Sequence, residues 1–205
     1  MAQTRILIFG HSLIHWLNDY QLKNKTNLDL DDSLKLNFRG IRGGSFHWRL
    51  GSKSKYQKKM LSAYLSEEVK AFSPMVVYLQ FGGNDLDVRH CDIDKIITKV
   101  ESIANFLLEG FDSIKLVCIG HAFKRLTLTN TFYEDYESRR LLFNAKLNSI
   151  GVKYERIFVF PNQGFYNEVT TLYDSKGIHL SDLGNEKFAT NLKRILIFSK
   201  RKLLQ

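Results

Sequence analysis

Cysteine and proline are scarce in this chain, with two of each in 205 residues. Two thiols, Cys91 and Cys118, are too few and too unpatterned for a disulfide framework or a zinc site. Cys118 lies inside the strand-like run Ile114-Lys-Leu-Val-Cys-Ile119 and reads as a small core residue. With so few prolines, no Gly/Ser-rich or low-complexity stretch and no internal repeat, there is no sign of a linker. The chain, 44% hydrophobic, is long enough for one buried core, so a single domain over residues 1–205 is expected. No segment approaches the ~18 consecutive apolar residues of a membrane span. The N-terminus enters a short apolar strand without the basic start and long apolar stretch of a secretory leader, which predicts an intracellular, cytoplasmic protein.

Charge is plentiful and unbalanced. Thirty Lys and Arg against 21 Asp and Glu give a net charge of +9. Lys53, Lys55, Lys58 and Lys59 form one cluster, and Lys193, Arg194, Lys200, Arg201 and Lys202 another. Such clusters serve either as solvated helix faces or as contacts for nucleic acid or another anionic partner. Neither carries the aromatic interleaving of a base-stacking platform.

Five apolar runs read as strands: Arg5–Phe9, Leu34–Phe38, Met75–Phe81, Ile114–Ile119 and Arg156–Phe160. Helical spacing of apolar residues falls between and after them, over Tyr56–Phe72, Ile93–Leu108, Tyr136–Ile150 and Leu183–Phe198. The third of these is expected to stop at Gly151, and Ser181 and Asp182 are candidate caps for the last. Strand and helix alternating at this length predict an α/β fold, a parallel sheet covered on both faces. Ligands in such folds collect at the carboxyl ends of the strands.

Four segments gather there. Phe9-Gly-His-Ser-Leu13 delivers a hydroxyl where the first strand breaks. A serine at such a place is commonly a helix cap, and becomes a nucleophile only when a base removes its proton. Gly177-Ile-His-Leu-Ser181 offers that base in His179. Gly40-Ile-Arg-Gly-Gly-Ser45 offers backbone N–H groups, and Gly82-Gly-Asn-Asp85 offers the carboxamide of Asn84; both also suit ordinary tight turns. Fixed donors of this kind are what the oxyanion of acyl transfer requires. No phosphate-cradling glycine motif follows the first strand, which argues against a nucleotide-binding protein.

The order Ser, Gly, Asn, His in these four blocks resembles the SGNH, or GDSL-like, hydrolase superfamily. The likeness runs from Ile6 to about Ile195, and Gly82-Gly-Asn-Asp85 is its most specific block. It implies a flavodoxin-like three-layer α/β/α sandwich with a five-stranded parallel sheet. The activity implied is that of a serine esterase cleaving short acyl or acetyl esters, of carbohydrate or lipid, through an acyl-serine intermediate without metal or cofactor. Ser12 would be the nucleophile and His179 the base, with Ser12 N–H, Asn84 and either Gly43 or Gly44 forming the oxyanion hole.

Two positions depart from the family pattern. His11 stands where an acidic residue usually precedes the serine. Lys176 stands where an aspartate usually holds the histidine, three residues ahead of it. Lysine has no acceptor for the imidazole N–H, and its charge opposes an imidazolium. Either Asp174 takes the orienting role or a backbone carbonyl does; failing both, the domain would be a weak or inactive relative that binds an anionic partner. Trp48, His121, Phe123 and Phe165 are candidate wall residues for the site.

Overall fold

The computed structural model describes residues 3–26, 28, 30–46, 61–166 and 170–205. The cluster Lys53–Lys59, Trp48 and the first residues of the expected helix Tyr56–Phe72 lie outside the described residues.

Five strands form one parallel sheet: β1 (Thr4–Gly10), β2 (Leu34–Gly40), β3 (Val76–Gln80), β4 (Leu116–Gly120) and β5 (Ile157–Phe160). The order is β2-β1-β3-β4-β5, the doubly wound arrangement of flavodoxin-like folds. All five expected runs form strands, shifted by at most two residues at either end.

The sheet's burial follows directly from its sequence. β3 and β4 are buried along their whole length, and β1 from Ile6 onward. Alternate side chains feed two cores, because successive residues of a strand point to opposite faces. Leu7, Phe9, Val77, Leu79, Val117 and Ile119 face one layer of helices: α2 (Leu61–Phe72), α4 (Ile93–Gly110) and α5 (Tyr133–Lys153). Ile6, Ile8, Val76, Tyr78, Leu116 and Cys118 face α1 (Ser12–Lys23) and α6 (Asp182–Lys202). A single helical turn, α3 (Gly83–Leu86), follows β3.

One detail of α5 differs from the sequence-based expectation. The helix runs through Gly151 to Lys153, because a glycine weakens a helix by only ~1 kcal/mol and here lets it approach β5. A Cβ at that position would lie 3.3 Å from Val159. Its buried face is Tyr136, Phe143, Leu147 and Ile150, whereas Leu141 and Leu142 are exposed. Spacings of three and four residues through Tyr136 and Arg140 set that face.

Register brings the functional segments to one level. Gly10 of β1 pairs with Gly40 of β2 and Gln80 of β3. The loops after these three strands therefore leave the sheet side by side, at the point where strand order reverses. Ile41 N–H donates to Gly10 O at 2.8 Å and His11 N–H to Gln80 O at 3.1 Å, carrying the pairing into the loops. Gly40 permits a close approach: a Cβ there would sit 2.1 Å from the His15 backbone nitrogen, so any larger residue would push α1 off the sheet edge.

Candidate active site

Ser12 is the first helical residue of α1, and the cap is His11. The His11 Nδ1 accepts from Leu13 N–H at 3.3 Å. Its pKa is lowered to about 3, by burial above all and then by the charges of Arg125 and His179. His11 is thus a neutral ring with its proton on Nε2, capping the helix without adding negative charge beside the serine. Because His11 caps, Ser12 keeps its hydroxyl free, and its own N–H is among the first-turn donors that have no carbonyl partner within a helix.

His179 reaches that hydroxyl. Its Nε2 lies 3.1 Å from Ser12 Oγ. The loop bearing it is held at both ends: Tyr173 and Leu180 form an antiparallel bridge, and the Gly177 carbonyl accepts from Leu126 and Thr127 N–H at 2.8 and 3.2 Å. Ser181 then caps α6 through Gly184 N–H. Burial holds the His179 pKa below the usual histidine value; Asp174 opposes that shift, and the charges of Arg125 and Arg42 reinforce it.

Asp174 Oδ2 stands 3.7 Å from His179 Nδ1, outside hydrogen-bond range but close enough for a charge interaction. Its Oδ1 accepts from the Ile178 and His179 backbone N–H groups at 3.3 and 3.4 Å, which keeps the carboxylate inside the loop. Lys176 lies exposed in the same loop.

Asn84 sits between two neighbours. Its Nδ2 donates to Gly44 O at 2.8 Å, and its Oδ1 accepts from Arg125 Nη2 at 2.6 Å. The carboxamide has a second N–H, which no described residue takes up. In the Gly40–Ser45 turn, Gly44 N–H is committed to Ile41 O at 2.9 Å. Of the two candidate glycines, Gly43 is therefore the one whose N–H has no backbone acceptor among the described residues. Gly43 adopts φ +71°, a conformation costly for any residue with a Cβ, and stands exposed.

A cavity of about 10 Å³, the size of one water or methyl group, adjoins Ser12. Leu13, Gly83, Phe123, Tyr136 and Ile178 are among its walls. On another side of His179, Trp16 meets the imidazole edge-on with ring centroids 5.9 Å apart, and Arg42 stacks over Trp16 at 5.6 Å.

Of the wall residues expected from sequence, Phe123 lines the cavity. His121 instead binds Asn148 Oδ1 at 2.8 Å, and Phe165 packs behind Phe123 with centroids 4.8 Å apart. Trp16, Ile178 and Arg125 are neighbours that sequence reasoning missed. Helical spacing could have found Trp16, four residues after Ser12 on α1; no local pattern marks Arg125. Neither thiol takes part. Burial pushes the Cys118 thiol up to about 12 and raises that of Cys91. In the C-terminal basic cluster, Lys200 bonds Ser33 and Asp31, and Arg194 bonds Gln163. No helix among the described residues is long and apolar enough to cross a membrane.

No family profile matches the sequence, and no curated protein matches it. Solved structures do match. The chain is similar to a GDSL-like lipase from Bacteroides thetaiotaomicron, with TM-score 0.70, 15% identity, and coverage of 96% of this chain and 89% of that one. It is similar to a carbohydrate acetylesterase family member from Sinorhizobium meliloti, with TM-score 0.70, 10% identity, and coverage of 95% and 97%. An inhibitor-bound aryl esterase from M. smegmatis superposes with TM-score 0.68 at 13% identity, over 94% and 98%. Identities this low speak for architecture alone, and in architecture the chain has the fold of the SGNH, or GDSL-like, hydrolases.

Proposed function

We propose that this protein is a serine esterase that removes short acyl groups, acetyl foremost, from small alcohols or sugars through an acyl-serine intermediate. The observation that carries this reading is the 3.1 Å contact between Ser12 Oγ and His179 Nε2 beside a methyl-sized cavity. A hydroxyl beside a neutral imidazole is the pairing that nucleophilic catalysis by serine requires. The similar structures point the same way, since they are named as a lipase, an acetylesterase and an aryl esterase.

In this mechanism Ser12 Oγ attacks the ester carbonyl while His179 Nε2 takes its proton. The carbonyl π pair moves onto oxygen, and Ser12 N–H, Gly43 N–H and the second Asn84 N–H receive that oxyanion. The positive end of α1 adds to the same stabilisation. Asp174 steadies the imidazolium. Collapse of the intermediate expels the alcohol, which takes the proton from His179. Water, activated by the same imidazole, then attacks the acyl-serine and releases the acid and free Ser12.

The acyl methyl would enter the cavity bounded by Leu13, Phe123 and Ile178, and the alcohol would leave toward Trp16 and Arg42. The test compares hydrolysis of p-nitrophenyl acetate and butyrate by the wild type and Ser12→Ala. The expected result is turnover favouring acetate, with Ser12→Ala reduced to background. Equal rates in the two proteins would overturn the proposal.

A further inference from the structure

Arg125 is a charged side chain, 6% exposed, bordering the cavity beside Ser12, and the mechanism above gives it no task. Its two terminal nitrogens do different things. Nη2 donates to Asn84 Oδ1 at 2.6 Å, while Nη1 reaches Asp87 Oδ2 at 3.3 Å. Asp87 is held mainly by other donors, since its oxygens also accept from Thr129 and Asn130 N–H at 3.0 Å each. The guanidinium carbon lies over the Tyr136 ring, 5.8 Å from its centre. The short contact therefore goes to Asn84, and the longer one anchors the arginine.

Resting on the esterase reading, we infer that Arg125 is a positioning residue that locks the Asn84 carboxamide with its N–H end toward the oxyanion. Two physical effects follow from this geometry. Rotating the carboxamide by half a turn would set its NH2 against the guanidinium, donor against donor, so only one orientation survives. A cation on the carbonyl oxygen also draws electron density from the amide, making the remaining N–H a stronger donor. Gly83 fits this arrangement, because a Cβ there would come within 3.0 Å of Arg125 Nη2.

A double-mutant cycle on p-nitrophenyl acetate hydrolysis tests the inference. Arg125→Gln should lower kcat by ~10–100-fold with KM changed less than ~2-fold, since a misaligned oxyanion donor acts on the transition state. In an Asn84→Ala background the same substitution should cost no more than ~3-fold, because the group it acts through is gone. A pH profile supplies a second readout. The Arg125 charge depresses the His179 pKa, so Arg125→Gln should move the acid limb of kcat/KM to higher pH, and Arg125→Lys should leave it in place.

If Arg125→Gln fails to fold by circular dichroism, Arg125→Lys carries the cycle. Its single ammonium keeps the charge but lacks the planar fork that serves Asn84 and Asp87 together, so an intermediate loss confined to the Asn84 background is expected. Equal losses with and without Asn84, or an effect on KM alone, would overturn the inference while leaving the esterase reading intact. Absence of any Ser12-dependent hydrolysis in the wild type would overturn both.

Discussion

The two halves of the site are held with different firmness. On the oxyanion side, Asn84 is fixed at 2.6 and 2.8 Å between Arg125 and the Gly44 carbonyl, and Arg125 and Asp87 behind it are buried. On the base side, Asp174 and His179 are each about a third exposed, 3.7 Å apart, and the carboxylate is kept by two long contacts to its own loop. One half is preorganised by a buried polar network, the other by a surface loop. On the proposed mechanism, stabilising the developing oxyanion would cost little rearrangement, whereas orienting the imidazole would depend on a pair that solvent partly screens. This division ranks what should happen when each half is damaged.

The largest effect in the comparison falls on the firm half. On the esterase reading, Asn84→Ala removes the proposed oxyanion donor, and it strands Arg125 without its shortest acceptor contact. The expected loss is ~10²–10³ in kcat, about 3–4 kcal/mol of transition-state stabilisation, with a smaller change in KM. Steady-state kinetics on an acetyl ester measure it. A loss below ~5-fold would mean that the backbone donors of Ser12 and Gly43 suffice alone.

A smaller loss is expected from Asp174→Asn. In a serine hydrolase with a buried, hydrogen-bonded triad, the equivalent change costs ~10⁴, chiefly by stabilising the wrong tautomer. Asp174 is half-buried and beyond hydrogen-bond range of Nδ1, so ~10–100-fold is expected, scaled down from that value for screening. The pH profile distinguishes this from damage to the loop. Asp174 raises the His179 pKa against the lowering by burial. Its removal should therefore shift the acid limb of kcat/KM to lower pH while the plateau falls. An acid limb moving upward would show that Asp174 does not face His179 in solution.

The sequence displayed the candidate reacting residues better than the partners that hold them. Strand runs and their parallel pairing were readable because continuous apolar runs with helical segments between them admit few other arrangements. Ser12, Asn84 and His179 stood out for a related reason: each sits in a short glycine-bearing segment at a strand's carboxyl end or a helix start. The partners of these residues were less visible. Arg125 meets Asn84 across 41 residues through a loop with no local signature. His11, read as a departure from the family pattern, turns out to cap α1. Which glycine of the Gly43–Gly44 pair has an uncommitted N–H depends on a turn hydrogen bond to Ile41 that composition does not specify.

Lys176 is the sharpest instance of that limit, because by position in the chain it stands where the family's orienting aspartate would be, yet folding leaves it exposed. The leading charges acting on His179 are those of Asp174, Arg125 and Arg42, and Lys176 stands exposed, where solvent screens it. Lys176→Asp should therefore change kcat/KM by less than ~3-fold at moderate salt, the scale of a screened surface charge. The effect should shrink further as salt is raised. A gain of tenfold or more would mean that a carboxylate at position 176 reaches Nδ1 better than Asp174 does. The base side would then be limited by its missing acceptor rather than by the looseness of its loop, and the oxyanion side would be the only half of the site fully built.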